Sequence, residues 1–368
     1  MASSHSAPIG LRFGAELEVL TGSRANEHME WYLTANELRI NHVNRLIVAE
    51  SGKELGSVQV KNHVNSDHNK DAEDYSEWSI IQEVTITNQM MQNKWGVELV
   101  SPILDFQDQR TWHWHMDAVW WVLSAKFNTS STPQCSTHVH ISPTQGSWTL
   151  AQVKRVAKAV LYYERSIDTL LPQERRQNIW AQSNRHNTIT KPQTIATLFT
   201  WIDGARDIPY IALIMCAFSK DSQYGRDVGK TQDFVHNVFR WNFMPLTKGS
   251  MGTIEFRQPP GSSNAAATKL WVTFAASFIQ GAVLFGDGLN GTQPPTLEGF
   301  RGLLINGAIQ SGVADYSALN QLFEGKAQLP PGAYNLEELS PQDLANLKAK
   351  AAQSNITVEK FKKLYGYR

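Results

Sequence analysis

Hydrophobic and polar residues alternate along several short segments of the chain, and a period of two is typical of half-buried β-strands. In residues 12–20 (RFGAELEVL), Glu16 and Glu18 share one face and the apolar residues share the other. The same alternation recurs in residues 78–87, 96–104, 136–142, 238–243 and 252–258. The pattern predicts one sheet whose concave face is polar.

Longer segments repeat their apolar residues at the helical period. In residues 150–171, Glu164 falls on the apolar stripe, so its carboxylate either extends to solvent or is buried against a cation, and we predict the second. Residues 270–285 (LWVTFAASFIQGAVLF) are short of a bilayer span and contain three polar residues, so they predict a buried helix. Further helices are predicted over residues 29–50, 112–123, 192–203, 211–218 and 340–352.

Two changes in composition divide the chain. Residues 51–77 are rich in Asn, Asp, Lys and His, which predicts an exposed insertion. After Gly286, the segments GDGLNGTQPPT and AQLPPGAYN are linker-like, and Ser340 with Pro341 marks the start of a helix. We therefore predict one large domain over residues 1–287, followed by a linker and a small helical appendage over 288–368.

Composition and charge narrow the classes of function. The chain has 368 residues, of which 42% are hydrophobic, and this is enough for a large core. Lys plus Arg and Asp plus Glu number 34 each, so we expect neither nucleic acid nor an anionic membrane as a partner. Two cysteines give no disulfide framework, and the first ten residues lack a signal-peptide pattern. We therefore expect a cytoplasmic protein.

Two histidines two residues apart stand in residues 136–142 (STHVHIS). On a strand, His138 and His140 would share one face, which is a chelating geometry. His113 and His115 have the same spacing in WHWHMD, but their neighbours recur at helical intervals, so there the spacing is incidental. The alternative for STHVHIS is that two histidines merely line a wet sheet face.

Other strand-like segments carry further pairs of chemically active residues at the same spacing. These pairs are Glu16 and Glu18, Glu83 and Thr85, Arg240 and Asn242, and Glu255 and Arg257, with Glu98 in GVELVSP as a single glutamate. Glutamates with one or two histidines suit Mg²⁺ or Mn²⁺ better than Zn²⁺. Arginines among such carboxylates indicate a polyanion bridged by metals, such as a nucleotide phosphate. The segment YGRDVGKT is not a P-loop, because Tyr224 stands where the motif needs glycine.

The order of these motifs resembles the putative amidoligase family of the glutamine synthetase-like carboxylate-amine ligases. The resemblance rests on segments at residues 13–18 (FGAELE), 78–83, 98–104, 138–141 (HVHI), 162–178, 240–242 and 254–262 (IEFRQPPGS), and it covers about residues 12–285. It implies an α+β fold in which a curved, mainly antiparallel sheet forms a half-barrel active site backed by helices. It also implies that ATP activates a small-molecule carboxylate as an acyl phosphate and that an amine displaces the phosphate. Amino acids, peptides and specialised metabolites are all possible substrates.

The resemblance also implies roles for individual residues. Ligands of a metal at the nucleotide phosphates would be Glu16, His138 and Glu255, and ligands of a second metal would be Glu18, Glu98 and Glu83. Contacts of the transferred phosphoryl group or nucleotide would be His140, Arg257, Arg240, Arg176 and Asn242. The chain departs from the family at Glu83, where Asp is more frequent, and at Thr85, where Ser is usual. Arg175, Arg176 and Asn178 could reach the nucleotide or the carboxylate, although a basic helix end would also explain Arg175.

Two other classes of function are compatible with parts of the pattern. A cupin-type oxygenase also uses two histidines at this spacing, but it would need an acidic residue shortly after His140, and the segment ISPTQGS has none. A nucleotide-binding scaffold of the ligase fold is the alternative without catalysis. Iron content distinguishes the first alternative from a ligase, and ATP turnover in the presence of an amine distinguishes the second.

Overall fold

A computed structural model of the protein describes residues 7–24, 46–48, 54–57, 60–62, 75, 78–187, 189–247, 251–330, 336–353 and 356–367. These residues form the mixed α+β fold that the sequence predicts. They divide into two compact units. Unit A comprises Arg12–Val139 and Pro259–Val272, and unit B comprises Met1–Leu11, His140–Gln258 and Thr273–Arg368.

Antiparallel strands form the centre of unit A. The strands before the first described helix are β1 (Leu11–Thr21), β2 (Leu46–Val48), β3 (Glu54–Ser57), β4 (Val60–Asn62), β5 (Trp78–Gln82), β6 (Trp95–Val100) and β7 (Leu104–Asp105). β6 pairs with both β1 and β5 in antiparallel register, and β4 pairs with β5 in parallel. In this register Glu18 of β1 lies directly opposite Glu98 of β6. Directly opposed residues project from the same face of a sheet, so these two carboxylates are neighbours.

The helix α1 (Gln109–Lys126) contributes aromatic side chains to the core of unit A. Its first turn is capped by Asp108, whose carboxylate accepts a hydrogen bond from the Thr111 N–H at 3.2 Å. The Trp112 ring packs edge-on against Phe13 of β1, with ring centroids 5.4 Å apart. His115 accepts a hydrogen bond from the Trp78 indole at 3.2 Å, and burial lowers the pKa of His115 to about 4. The second histidine pair thus lies on a helix, as predicted.

The STHVHIS segment forms the strand β8 (Thr137–Pro143), as predicted. The division between the units falls inside this strand, after Val139. The later strands are β9 (Ala217–Phe218), β10 (Phe234–Val235), β11 (Trp241–Asn242) and β12 (Ile254–Phe256). In the hydrogen-bonded order of strands, β1, β6 and β5 are neighbours in unit A, and β11 and β12 are neighbours in unit B.

The helices that follow α1 lie in unit B, except that residues 265–272 of the helix Ala265–Phe285 belong to unit A. Along the chain they are α2 (Leu150–Leu170), α3 (Gln173–Arg176), α4 (Ile195–Asp203), α5 (Ile208–Cys216), α6 (Gln223–Asp227), α7 (Ala265–Phe285), α8 (Leu297–Gln310), α9 (Ser317–Gln321), α10 (Pro341–Gln353) and α11 (Val358–Leu364). The strongly amphipathic α2 begins with a capping box formed by Thr149 and Gln152. Glu164 is buried on α2 beside Arg240, at 3.1 Å, which confirms its predicted burial against a cation.

The long apolar helix α7 is a core helix. Residues Ala265–Gly288 are long and apolar enough to span a membrane, but most of the apolar part of this helix is buried inside the structure. Its close neighbour in unit B is α8, and the contact depends on glycine. A Cβ atom added at Gly307 of α8 would stand 1.9 Å from the carbonyl oxygen of Ser277 on α7. The buried helix predicted over residues 270–285 is therefore confirmed.

The C-terminal residues after α8 share a core with the rest of unit B. Phe361 and Tyr367 pack in one apolar cluster with Leu213, Ala217 and Val235. Ser340 caps α10 by accepting a hydrogen bond from the Asp343 N–H at 3.1 Å, as predicted. The domain boundary predicted after residue 287 stays a prediction, and the division that the structure makes falls elsewhere.

Some predicted elements are wrong in extent or type. Residues 83–87 form a turn, because the Thr85 side chain and main chain both bond the Glu83 carboxylate and the strand β5 ends at Gln82. The strand predicted over residues 238–243 is reduced to β11, because the Arg240 N–H bonds the Gln182 carbonyl instead of a neighbouring strand. Residues 217–218 are a strand rather than a helix end, and 46–48 are a strand within a predicted helix. The rest of 29–50 and most of the 51–77 insertion lie outside the described residues.

Candidate functional site

Three glutamates of unit A converge on one face of the sheet and form what we call the carboxylate cluster: Glu18, Glu83 and Glu98. One carboxylate oxygen from each lies within 4.8 Å of the others, and all three side chains are buried. Neutral donors hold two of them in place. The Ser136 N–H and O–H donate to Glu18 at 2.8 and 2.7 Å, and the Thr85 N–H donates to Glu83 at 2.7 Å.

The electrostatics of the cluster favour a cation. Burial, followed by the charges of Glu16, Glu83 and Glu18, raises the pKa of Glu98 well above its ordinary value. Each of these causes acts in the same direction, because like charges and desolvation both disfavour the ionised carboxylate. A set of converging hard oxygen donors fits Mg²⁺ or Mn²⁺. The residues present thus suit the divalent cation that the sequence predicts.

A second group of possible ligands in unit A shares Glu98 with the carboxylate cluster. It consists of Glu16, Glu98 and His138, whose ligand atoms also lie within 4.8 Å of one another. His138 Nδ1 lies 3.0 Å from a carboxylate oxygen of Glu16, and its Nε2 lies 3.0 Å from the Ser136 hydroxyl. Nε2 is also 3.6 Å from Glu18. Partners at both ring nitrogens, Glu16 at Nδ1 and Ser136 at Nε2, therefore fix the orientation of the imidazole.

In unit B, a group of polar side chains surrounds Glu255 of β12. Asn242 donates its side-chain amide to Glu255 at 2.7 Å, which the antiparallel pairing of these two residues explains. Arg257 donates to the other carboxylate oxygen, which also lies 3.6 Å from Nε2 of His140. His140 Nδ1 is 3.0 Å from the Thr253 hydroxyl. The structure thus brings together four predicted residues, namely His140, Asn242, Glu255 and Arg257.

Arg240 lies elsewhere in unit B, inside a buried ionic network. One guanidinium nitrogen is 2.8 Å from Asp168 and 3.1 Å from Glu164, both on α2. The side chain is 1% exposed. Burial raises the pKa of Asp168, and the charge of Arg240 opposes this shift. In this geometry Arg240 neutralises two carboxylates of α2, and its contact with a substrate anion stays a prediction.

Two arginines of α3 have distinct positions. Arg176 donates twice to the Leu171 carbonyl at the end of α2, at 3.0 and 2.7 Å, so the helix-end role applies to it. Arg175 is fully buried and donates to the main-chain carbonyls of Arg257 and Gln258, both at 3.0 Å. Arg175 therefore supports the backbone that carries Arg257, whereas the predicted nucleotide contact of Arg176 stays a prediction.

The YGRDVGKT segment forms the short helix α6 and the turn after it. Residues 229–231 line a cavity of about 330 Å³ together with Phe234, Lys348 and Thr357. None of the predicted ligands lines this cavity. Gly225 is required for packing, since a Cβ atom there would stand 2.5 Å from the Ser219 carbonyl oxygen. The segment is therefore a helix start and a loop, consistent with the rejection of a P-loop.

Several residues around the site were not singled out from the sequence. Ser136 directly precedes THVH, and Asp168 follows Glu164 by one helical turn, so both had a local signal. Thr253 directly precedes β12 and stands two residues before Glu255. Trp180 contributes only its main-chain carbonyl, which accepts a hydrogen bond from Arg257 at 3.4 Å, and no side-chain pattern reveals such a contact.

The fold and the site together define an α+β protein with a buried, acidic, oxygen-rich site on a sheet. A family model described as a putative amidoligase enzyme matches residues 10–279. The chain belongs to this family, as the order of its motifs predicts. Among solved structures, apo GmaS without ligand is similar, with 9% identity, coverage of 97% of this chain and 72% of that chain, and a TM-score of 0.29. No curated protein matches the chain.

Proposed function

We propose that this protein is an ATP- and Mg²⁺-dependent carboxylate-amine ligase that forms an amide bond through an acyl phosphate. The observation that carries the proposal is the carboxylate cluster, three buried glutamates on one sheet face in a chain of the amidoligase family. Such a cluster is costly to bury without a cation. Divalent cations are what a reaction on nucleotide phosphates needs.

The reaction has two steps. A carboxylate oxygen of the acid attacks the γ-phosphorus of ATP, the bond to the β,γ-bridging oxygen breaks, and ADP leaves. The amine nitrogen then attacks the acyl carbon, inorganic phosphate leaves with the oxygen that came from the carboxylate, and the amine loses a proton. Positioning and charge stabilisation account for catalysis of phosphoryl transfer, so no covalent nucleophile on the protein is needed.

The residues divide by their chemistry. Glu16, Glu18, Glu83, Glu98, His138 and Glu255 are the proposed ligands of Mg²⁺, which when bound neutralises charge on the phosphates. Arg257 and His140 are the proposed contacts of the transferred phosphoryl group. Asn242 orients Glu255 through its 2.7 Å hydrogen bond. A planar guanidinium beside a carboxylate suits a phosphoryl oxygen, because it offers several fixed donors.

The test measures ADP and phosphate release from Mg²⁺-ATP across a panel of acids and amines. Wild type is compared with Glu16→Ala and Arg257→Ala, and the controls are Glu174→Ala and Arg226→Ala, which change exposed residues of the same type. We expect acid-dependent release that both site variants lose and both controls keep. If the oxygen atoms of the substrate carboxylate carry an isotopic label, that label must appear in the released phosphate.

Two results would reject the proposal. Nucleotide binding without turnover across the whole panel would favour a scaffold of the same fold. Stoichiometric iron on the purified protein, with no nucleotide binding, would favour an oxygenase that uses the histidine pair.

A further inference from the structure

The C-terminal segment that follows the family match holds a loop of unit B at two points. The Glu337 carboxylate accepts a hydrogen bond from the Ile179 N–H at 2.9 Å, and the Glu337 N–H donates to the Gln177 carbonyl at 2.9 Å. Residue 337 lies beyond the end of the matched region at residue 279. These two hydrogen bonds therefore join the matched region to a segment that lies outside it.

The loop held by Glu337 leads directly to the Arg257 side chain. Trp180 follows Ile179, and its carbonyl accepts a hydrogen bond from Arg257 Nε at 3.4 Å. The other end of the guanidinium donates to Glu255. Trp180 and Glu255 thus hold the guanidinium between them. The position of the Trp180 carbonyl depends on the conformation of the loop that Glu337 bonds.

Charge supports the same arrangement. Glu337 is close enough to Arg175 for the arginine to lower the pKa of the carboxyl, although burial raises that pKa more strongly. Arg175 in turn donates to the main-chain carbonyls of Arg257 and Gln258 at 3.0 Å. Glu337 therefore interacts with both groups that support Arg257. It bonds the loop that carries the Trp180 carbonyl, and its carboxylate lies within electrostatic range of the Arg175 guanidinium.

We propose that Glu337 is a positioning residue that sets the orientation of the Arg257 guanidinium through the loop formed by residues 177–180. The inference rests on the proposed function, because it assigns Arg257 to the transferred phosphoryl group. A small displacement of a charge-stabilising group reduces kcat more than substrate binding.

The experiment compares wild type with Glu337→Ala, Glu337→Gln and the exposed neighbour Glu338→Ala. Glutamine keeps a carbonyl oxygen that can accept from the Ile179 N–H, whereas alanine does not. We expect Glu337→Ala to lower kcat for ADP release by about 10-fold or more with little change in the KM for ATP. Glu337→Gln should retain most of the activity, and Glu338→Ala should be unchanged.

Hydrogen exchange provides a readout that does not need turnover. In Glu337→Ala, peptides covering residues 177–180 and 252–258 should exchange faster, and thermal unfolding should remain a single transition near that of wild type. Unchanged exchange at residues 252–258, or full activity of Glu337→Ala beside an inactive Arg257→Ala, would overturn the inference and leave the ligase proposal standing. An inactive wild type that shows the exchange effect would instead reject the ligase proposal and retain the positioning contact.

Discussion

Replacement of Glu98 by glutamine is expected to stabilise the metal-free protein and to remove part of its response to Mg²⁺. Glu98 is shared by two groups of ligands whose oxygen and nitrogen atoms lie within 4.8 Å of one another. Two unit charges at that distance repel each other by about 3 kcal/mol at an effective dielectric constant of about 20. Glutamine keeps the shape and removes the charge. Because wild type relieves part of the repulsion by holding a proton on Glu98, we expect the net gain in the free energy of unfolding to be smaller than this repulsion of about 3 kcal/mol.

The raised pKa of Glu98 fixes the sign of the pH dependence. Between the unfolded value, about 4.3, and the raised folded value, the native state holds a proton that the unfolded state has lost. The free energy of unfolding of the metal-free protein therefore falls as pH rises through this window, by up to about 1.4 kcal/mol per pH unit. Bound Mg²⁺ reverses the preference, since it requires the ionised carboxylate.

The assay is thermal or urea unfolding of wild type and Glu98→Gln in EDTA and in saturating Mg²⁺, with Glu324→Gln as an exposed control. We expect the variant to unfold at a higher temperature in EDTA and to gain less from Mg²⁺ than wild type does. The reasoning is refuted if Glu98→Gln is less stable than wild type in EDTA, or if Mg²⁺ stabilises both proteins equally.

Three further predictions concern packing and buried charge. Gly307→Ala should lower the free energy of unfolding in urea by about 2 kcal/mol, because the added Cβ would meet a carbonyl of α7. At Gly302 on the same helix an added Cβ meets nothing within 4 Å, so Gly302→Ala should leave the free energy of unfolding unchanged or raise it by about 0.5 kcal/mol. Arg240→Met should cost about 3–5 kcal/mol, because it leaves two carboxylates of α2 without their buried cation; equal stability of variant and wild type would contradict this. Cys135 is buried, and burial raises the pKa of Cys216 to about 12, so a thiol reagent should modify both only on unfolding. Rapid modification of the native protein would contradict that expectation.

Period-two alternation located the central strands because the signal is local. In β1, β8 and β12, the alternation of neighbouring residues is enough to assign each side chain to one face of the sheet, and the structure has strands at all three places. The helical period, which is also a local signal, placed Glu164 correctly on α2, since a charge on an apolar helix stripe needs a partner if it is buried. The convergence of Glu18 with Glu98 follows once the strands pair in register.

Other features depend on contacts that no local pattern encodes. Thr85 bonds Glu83 and ends the strand, which is a competition between side chain and main chain that periodicity does not weigh. Arg240 was assigned to an anion from its spacing to Asn242, but its partner Asp168 is 72 residues away in sequence. Glu337 reaches Ile179 across 158 residues. Such pairings are set by packing of the whole unit.

The protein buries carboxylates in two different ways, one with a cationic side chain beside them and one in a cluster of glutamates. Burial raises the pKa of Asp168, and the charge of Arg240, which lies beside both Asp168 and Glu164, opposes this shift and offsets part of the cost of burial. In the carboxylate cluster, the charges acting on Glu98 are those of other glutamates, and each raises its pKa. The donors that hold Glu18 and Glu83 in place, the Ser136 hydroxyl and the Thr85 N–H, are uncharged. Buried glutamates that uncharged donors hold in place, and whose charges raise the pKa of Glu98, are stabilised by a cation from solution. For this reason we expect Mg²⁺ to bind at the carboxylate cluster rather than at the Arg240 network.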